Sequence, residues 1–265
     1  MLIQDLVDQP VDDTTINADQ ITRFEALAEE WWKPDGKFRV MHRFNDARHN
    51  FIEACIANHF KRDLTGNRAL SRIKILDVGC GGGLMSEPLA LLGADVVGVD
   101  ATSRNIEIAK RHSHQTGLYI DYRHGTADTA LTAEELFDVV LNLEVIEHVD
   151  DPRKLIKDCT ARLKPGGIII VATLNRTLRS LVLAIIGAEY VLRWLPVGTH
   201  DWRRFMKPGE IETMLVDEGL NMNNTVGVAL NPLSRNWKIT SDLSVNYMLV
   251  AEKGLQPDTL RNCNL

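Results

Sequence analysis

A glycine-rich run, Asp77–Gly83, holds the residues best suited to bind a ligand. It follows a short apolar segment, and ligands of open α/β sheets bind where the strands end. Glycines there permit positive φ and let a ligand approach the backbone closely. Asp100 ends the next apolar segment, where a carboxylate can accept hydrogen bonds from both ribose hydroxyls of an adenosine. Gly79, Gly81 and Asp100, with Asp77 beside them, are therefore predicted to bind an adenosine cofactor.

The type of cofactor is narrowed by Leu84, which stands where a dinucleotide-binding loop needs its third glycine or an alanine. A bulky residue there would hinder close packing of the helix on the strand beside a pyrophosphate. The chain also lacks a Gly-Lys-Ser/Thr P-loop, which disfavours an NTPase. The pattern Asp-x-Gly-x-Gly-x-Gly instead resembles the first motif of class I methyltransferases, which implies S-adenosyl-L-methionine. A nicotinamide dehydrogenase and a glycine-rich turn without a ligand are the alternatives.

Asp128 is a further candidate for the cofactor site. It closes the loop Gly125–Asp128, which follows the third predicted strand. In this fold that loop borders the adenine, and the carboxylate would accept a hydrogen bond from the adenine amino group. A solvated loop aspartate is the equally weighted alternative.

Three side chains that could act on a substrate follow the fourth predicted strand: Glu144, Glu147 and His148. In a helix, their spacing of i, i+3 and i+4 places them on one face. Two carboxylates and an imidazole there would hold a divalent cation, and the carboxylates suit Mg²⁺. The same group would supply a general base, since the unperturbed pKa of histidine, about 6.5, suits proton abstraction near neutral pH. A solvated acidic turn is the alternative.

The elements that must position these residues alternate between strand and helix from Ile73 onwards. Such alternation predicts an α/β, Rossmann-like fold with a seven-stranded, mostly parallel sheet and helices on both faces. We expect a single methyltransferase domain over 1–265. It comprises an N-terminal helical extension, a cofactor-binding core, an amphipathic insertion and the C-terminal part of the core, at 1–70, 71–173, 174–207 and 208–265.

Local patterns set several boundaries within this plan. The helical spacing of apolar residues predicts helices over Asn17–Glu30 and from about Asn45 to Phe60. Lys164–Gly167 predicts a tight turn before a buried strand. The last two predicted strands are Leu220–Leu230 and Val245–Ala251.

The segment 176–195 combines apolar residues with basic ones, among them Arg176, Arg179 and Arg193. Basic flanks and interfacial aromatic residues are typical of a helix lying on a membrane surface, and they also suit a lid over an apolar substrate. A helical hairpin packed on the protein's own core or on a partner subunit is the alternative. His200 follows this segment and is a candidate for substrate contact, unless it only ties the loop down.

The composition argues against some classes of protein. The formal net charge of −6 disfavours nucleic-acid binding, which usually needs a basic excess. The four scattered cysteines form no CxxC motif and suit a reducing compartment. The N-terminal residues lack the pattern of a signal peptide, and no apolar run reaches the roughly 20 residues of a membrane span.

Taken over nearly the whole chain, the sequence resembles the ubiquinone-biosynthesis O-methyltransferase family, the bifunctional demethylubiquinol and polyprenyl-dihydroxybenzoate 3-O-methyltransferases. The glycine loop is shared by many methyltransferases, whereas Trp31-Trp32, Gly187–Tyr190 and Gly198–Asp201 are more specific. Further matching segments are Phe24–Ala28, Pro34–Phe38, His42–Asn45, Leu76–Gly83, Thr173–Arg176, Asn231-Pro232 and Val245–Met248.

The resemblance implies roles for individual positions. Four of them fall where the family contacts S-adenosyl-L-methionine: Arg48, Gly79, Asp100 and Leu143. The arginine suits the methionyl carboxylate, which it can pair bidentately. The leucine stands where some members carry Met, which implies a backbone or apolar contact. Three more match positions assigned to Mg²⁺ in mitochondrial members: Glu144, Glu147 and His148.

The activity implied by the resemblance is methylation of one hydroxyl of a polyprenylated catechol, such as 3-demethylubiquinol or a polyprenyl-dihydroxybenzene. It also implies contact with the membrane surface, a place in a ubiquinone-biosynthesis complex, and a location in the bacterial cytoplasm, peripheral on the inner membrane. Two other functions stay open. One is methylation of another small hydrophobic acceptor, and the other is a non-catalytic cofactor-binding scaffold at the membrane.

Overall fold

The structure, a computed structural model, describes residues 18–33, 36, 39–183, 201–231 and 236–255. His200 and most of the segment 176–195 lie outside the described residues, so their predicted roles stay predictions. Among the helices that are described, none is both long enough and apolar enough to cross a membrane.

One mixed sheet runs through the described part of the chain. Its strands are β1 (Lys74–Val78), β2 (Asp95–Asp100), β3 (Asp121–His124), β4 (Phe137–Leu143), β5 (Leu163–Leu174), β6 (Leu220–Leu230), β7 (Trp237–Thr240) and β8 (Asn246–Lys253). Their order across the sheet is β3-β2-β1-β4-β5-β8-β6-β7. Strands β1 to β5 pair in parallel, whereas β8 is antiparallel to both of its neighbours. The predicted Rossmann-like α/β fold is therefore confirmed.

The prediction of seven strands was one short, because the structure adds β7 at the edge of the sheet. This strand pairs antiparallel with the segment Gly227–Leu230. Its Trp237 ring also packs edge-on against Phe44, with ring centroids 4.8 Å apart. Four residues carry too short an alternation to distinguish a strand from a loop by pattern.

Helices cover both faces of this sheet. They are α1 (Ala18–Leu27), α2 (Arg39–His59), α3 (Ser86–Leu91), α4 (Ser103–Gln115), α5 (Pro152–Ala161), the short α6 (Leu178–Ser180) and α7 (Pro208–Asp217). Single 3₁₀ turns lie at Ala28–Glu30, Ile146–His148 and Trp202–Arg204. The first predicted helix is therefore shorter than expected and ends in a 3₁₀ turn, and the second begins earlier, at Arg39.

Two apolar cores lie on the two faces of the sheet. Successive side chains of a strand point to opposite faces. Ile75 belongs to the core that contains Ile52 and Ile56 of α2, whereas Leu76 belongs to the core that contains Ile156 of α5. All five side chains are fully buried. The packed sheet therefore fixes the carboxyl ends of β1, β2 and β4 side by side, where the candidate site residues emerge.

The predicted tight turn at Lys164–Gly167 lies inside β5. The pairing of β5 with β4 passes from Leu163 to Ile168 through a register shift, so the residues between them form an irregularity in the ladder. Gly166 has a φ of 77° there, which glycine tolerates. The Pro-Gly-Gly pattern thus marks a bulge within the strand.

Candidate active site

The glycine loop connects the carboxyl end of β1 to α3 and folds against β2. The amides of Gly79 and Cys80 both donate to the carbonyl of Val99, at 2.8 and 3.0 Å. Gly79, Gly81 and Gly83 have φ angles of 73°, 55° and 88°, in the left-handed region that favours glycine. The glycines are therefore required by the backbone conformation of the loop.

Asp100 lies at the end of β2 and faces this loop. One carboxylate oxygen accepts from the amide of Gly81 at 2.9 Å, and the other accepts from the amide of Thr102 at 2.8 Å. The side-chain amide of Asn105 donates to the second oxygen at 3.2 Å. Burial raises the pKa of Asp100, and these hydrogen bonds oppose the rise. The carboxylate is thus held firmly beside the loop, as ribose binding would need.

An N-terminal arm, Ala18–Lys33, lies over the same loop. The indole of Trp31 donates to the side-chain oxygen of Asn105 at 2.9 Å. The indole of Trp32 donates to the carbonyl of Gly82 at 2.7 Å. The two tryptophans that the sequence marks as a family signature therefore bind the loop and its neighbour on α4.

Asp77 lies in β1 beneath the loop, with only 3% of its surface exposed. The hydroxyl of Ser86 donates to its carboxylate at 2.6 Å. Burial raises the pKa of Asp77 to about 6, while Ser86 opposes the rise and Asp100 adds to it. Asp77 therefore holds the first residue of α3 through a buried hydrogen bond. A direct contact between Asp77 and the cofactor stays a prediction.

Replacing Asp77 by asparagine is expected to remove a pH-dependent loss of stability. The pKa of Asp77 is higher in the folded protein than in the unfolded chain, so its protonated form stabilises the fold at low pH. This stabilisation is complete below the pKa of the unfolded chain, and it is lost as the pH rises through about 6. Between about pH 5 and about pH 7.5, Asp77→Asn should gain on the order of 1 kcal/mol relative to the wild type, measured by urea unfolding. Asp95→Asn, at an exposed carboxyl, is the control. If the difference in stability between Asp77→Asn and the wild type did not change with pH, the raised pKa of Asp77 would be contradicted.

Arg48 projects from α2 and has 3% of its surface exposed. Its Nη1 donates to Oε1 of Glu144 at 2.8 Å, and its Nη2 donates to Asn45. The guanidinium also lies 4.1 Å from the centre of the Phe44 ring. Its Nε has no hydrogen-bond partner among the described residues. In the predicted contact, the methionyl carboxylate would accept from this Nε, or it would take the place of Glu144 as the partner of Nη1.

The segment Glu144–His148 is not the helix that its spacing suggests. The amide of Glu144 still bonds to the carbonyl of Ala172 at 2.9 Å and so continues the ladder between β4 and β5. Glu144 then adopts a φ of 57°, and only Ile146–His148 form a 3₁₀ turn. The prediction of one helical face was therefore wrong, because a left-handed residue turns the chain away from a helical path.

Glu147 is buried behind this turn. The hydroxyl of Thr173 donates to its Oε2 at 2.7 Å, and its Oε1 has no hydrogen-bond partner within the described part of the chain. Burial, and then the charge of Glu144, hold the pKa of Glu147 well above its usual range. Burial and the bond to Thr173 therefore hold Glu147 inside the protein.

The predicted magnesium ligands do not fit this geometry. Glu144 is paired with Arg48, Glu147 is bonded to β5, and His148 packs against Phe24. Among the residues that the structure describes, no three His, Cys, Asp or Glu side chains form a group that could hold a metal ion. We therefore assign no catalytic step to a metal.

His148 ends the 3₁₀ turn and faces the arm. Its ring meets that of Phe24 edge-on, with ring centroids 5.3 Å apart. The preceding Val145 packs so closely on Gly79 that any side chain at Gly79 would collide with it. The turn that carries His148 and the glycine loop therefore lie at the same edge of the sheet.

Two other predicted cofactor residues take different positions. Leu143 is buried in the apolar core at the end of β4. Asp128 is exposed, and its carboxylate lies 3.3 Å from Nζ of Lys154. This ion pair is what a solvated loop aspartate would make, and contacts of either residue with the cofactor stay predictions.

The sequence reasoning missed Asn105 and Phe24. Asn105 lies in α4 among the buried residues Ile106, Ile108 and Ala109. A polar side chain on the apolar face of a helix is a signal that could have identified Asn105, since such a group needs a hydrogen-bond partner. Phe24 lies in the segment Phe24–Ala28 that resembles the family, but it has the character of an ordinary apolar helix residue, and its contact with His148 joins distant segments.

The chain is similar to known methyltransferases. Residues 76–171 match the family model described as "Methyltransferase domain". The chain is 51% identical over 240 residues to the ubiquinone biosynthesis O-methyltransferase of Chelativorans sp. (strain BNC1), a match that covers 91% of this chain and 95% of that protein. It is 50% identical over 241 residues to the protein of the same name from Mesorhizobium japonicum, covering 91% and 97%.

A solved structure with the same architecture is the magnesium protoporphyrin IX methyltransferase of Synechocystis PCC 6803, crystallised with bound SAH. It matches with a TM-score of 0.61 at 20% identity, over 88% of this chain and 95% of that one. At this identity the likeness shows the shared fold alone, whereas the identity to the two relatives extends over most of the chain. The chain is therefore an S-adenosyl-L-methionine-dependent O-methyltransferase, and it belongs to the ubiquinone biosynthesis O-methyltransferase family.

Proposed function

We propose that the chain methylates one hydroxyl of a catechol-type ring that carries a polyprenyl tail, as a step of ubiquinone biosynthesis. The name shared by the relatives supports this pathway, and a polyprenylated phenol is the substrate class that it implies. The active site is assigned to the edge of the sheet where the carboxyl ends of β1, β2 and β4 lie side by side. Asp100 accepts from the amide of Gly81 there, and the turn that carries His148 follows Val145, which packs on Gly79.

The cofactor supplies a methyl group that its sulfonium already activates. The residues of the chain must then hold the cofactor, align the acceptor oxygen and remove its proton. In this proposal Asp100 and the glycine loop hold the ribose, and Arg48 faces the methionyl carboxylate. His148 takes the hydroxyl proton, since Glu147 is buried and bonded to Thr173 and Glu144 is paired with Arg48.

The polyprenyl tail needs an apolar surface outside this polar edge. Leu178, Val182 and Leu183 are exposed at the start of the segment 176–195. We propose that this segment contacts the membrane surface and that the substrate is taken from there. The same proposal places the protein in the bacterial cytoplasm, peripheral on the inner membrane, within a ubiquinone-biosynthesis complex.

The direct test is mass spectrometry of the products formed from S-adenosyl-L-methionine and a prenylated catechol in liposomes. We expect a product with one added methyl group on a ring oxygen. The yield should be the same after exhaustive chelation, because no three possible metal ligands form a group among the described residues. Co-sedimentation of the protein with the liposomes tests the membrane contact in the same samples.

Each contrary result of this assay favours a different function. Loss of product on chelation, reversed by Mg²⁺, would support the metal prediction. Product from a small hydrophobic acceptor, but from no prenylated catechol, would favour the alternative substrate class. Cofactor binding without any product would favour the scaffold.

A further inference from the structure

The indole of Trp31 lies on the glycine loop. A Cβ atom added to Gly81 would come within 2.6 Å of the indole, and one added to Gly82 would come within 2.5 Å. Non-bonded carbon atoms do not approach this closely, so both positions must lack a side chain to admit the ring. The loop is therefore rich in glycine for the sake of the protein's own tryptophan as well as of a ligand.

Two hydrogen bonds link this indole to Asp100. Trp31 Nε1 donates to Oδ1 of Asn105 at 2.9 Å, and Nδ2 of Asn105 donates to Oδ1 of Asp100 at 3.2 Å. An indole N–H can only donate, so it determines which way the Asn105 amide faces. With its oxygen bound to Trp31, the amide turns its NH₂ group to Asp100. Asn105 is 2% exposed, so water does not compete freely for either bond.

Contacts along the arm hold Trp31 in place. Its backbone carbonyl accepts from Nε2 of His42 at 2.8 Å. The next residue, Trp32, stacks on His112 of α4, with ring centroids 3.5 Å apart. Glu29 pairs with two arginines of α4. The arm is therefore fastened to the same helix that carries Asn105.

We propose that Trp31 is a positioning residue for the cofactor, acting through Asn105 on the carboxylate of Asp100. The inference rests on the proposed role of Asp100 in binding the ribose. With the indole N–H in place, Asn105 donates to Asp100 and fixes the carboxylate. Without it, the amide keeps only its bond to Asp100 and is held less firmly, so the carboxylate is less well fixed and ribose binding weakens.

The test is the affinity for S-adenosyl-L-homocysteine, measured by calorimetry on the full chain. Trp31→Phe keeps an aromatic ring on the loop and removes the N–H. We expect the dissociation constant to rise about fivefold, as for the loss of one neutral hydrogen bond. The KM for S-adenosyl-L-methionine should rise with kcat unchanged. Trp202→Phe removes an indole hydrogen bond to the carbonyl of Thr177, and this matched control should leave the affinity unchanged.

A double-mutant cycle separates this relay from general packing. Asn105→Ala removes the amide, after which Trp31→Phe should weaken binding by less than about twofold further. The relay would be overturned if the two substitutions raised the dissociation constant by independent factors in the double variant. It would also be overturned if Trp31→Phe bound the ligand as tightly as the wild type or more tightly. Asp100→Asn separates the ribose role of Asp100 from the positioning role of Trp31. If Asp100→Asn binds S-adenosyl-L-homocysteine as tightly as the wild type, both roles fail. If Asp100→Asn binds weakly but Trp31→Phe binds normally, only the role of Trp31 fails.

Discussion

Asp100→Ala is expected to lower the affinity for S-adenosyl-L-methionine by at least about 100-fold. Hydrogen bonds from the ribose hydroxyls to a carboxylate are each worth about 1.5–3 kcal/mol, and about 1.4 kcal/mol corresponds to a factor of ten. The substitution also removes the acceptors that hold the amides of Gly81 and Thr102. Both effects weaken the site, and calorimetry measures their sum.

Asp128→Ala is the matched variant for this measurement. It removes an exposed carboxylate whose ion pair with Lys154 contributes little, so we expect binding near that of the wild type. A marked loss would instead support the predicted adenine contact. Circular dichroism shows whether Asp100→Ala is folded, and a folded variant with undiminished affinity would remove Asp100 from the cofactor site.

The second large effect is expected for His148→Ala. Loss of a general base lowers turnover by about 10²–10⁴-fold. The affinity for S-adenosyl-L-homocysteine should stay at the wild-type value, because other residues hold the cofactor. Steady-state methyl transfer to a prenylated catechol measures kcat.

His124→Ala is the control for this prediction. It removes another imidazole, exposed at the end of β3, which bonds to the carbonyl of Ala101 at 3.0 Å. Its turnover should equal that of the wild type. A kcat of His148→Ala within about tenfold of the wild type would assign proton removal to another group.

The glycine loop, Asp100 and the parallel half of the sheet were predictable from the sequence because their signals are local. The central strands are largely buried on both faces, so most of their residues are apolar and polar breaks flank them. The run Asp77–Gly83 then marks the turn that follows the first of them. Short-range patterns of this kind do not depend on what packs against them later.

Features that depend on contacts between distant segments could not be predicted. Glu144–His148 has helical spacing, yet the left-handed conformation of Glu144 prevents the helix. Trp31 and Asn105 are 74 positions apart, and nothing local in the arm indicates what it covers. The parts of the site that close over the cofactor loop thus arise from tertiary packing.

The position of β8 has a consequence for how the protein is made. This strand, Asn246–Lys253, is the last one in the described part of the chain, and it pairs with β5 on one side and with β6 on the other, inside the sheet. Synthesis delivers the N-terminal strands first, so β5 and β6 each expose an unpaired edge until β8 has been made. Such edges are templates for pairing with other chains. A ribosome that stalls before Asn246 should therefore release an aggregation-prone product, which chaperones must guard until degradation.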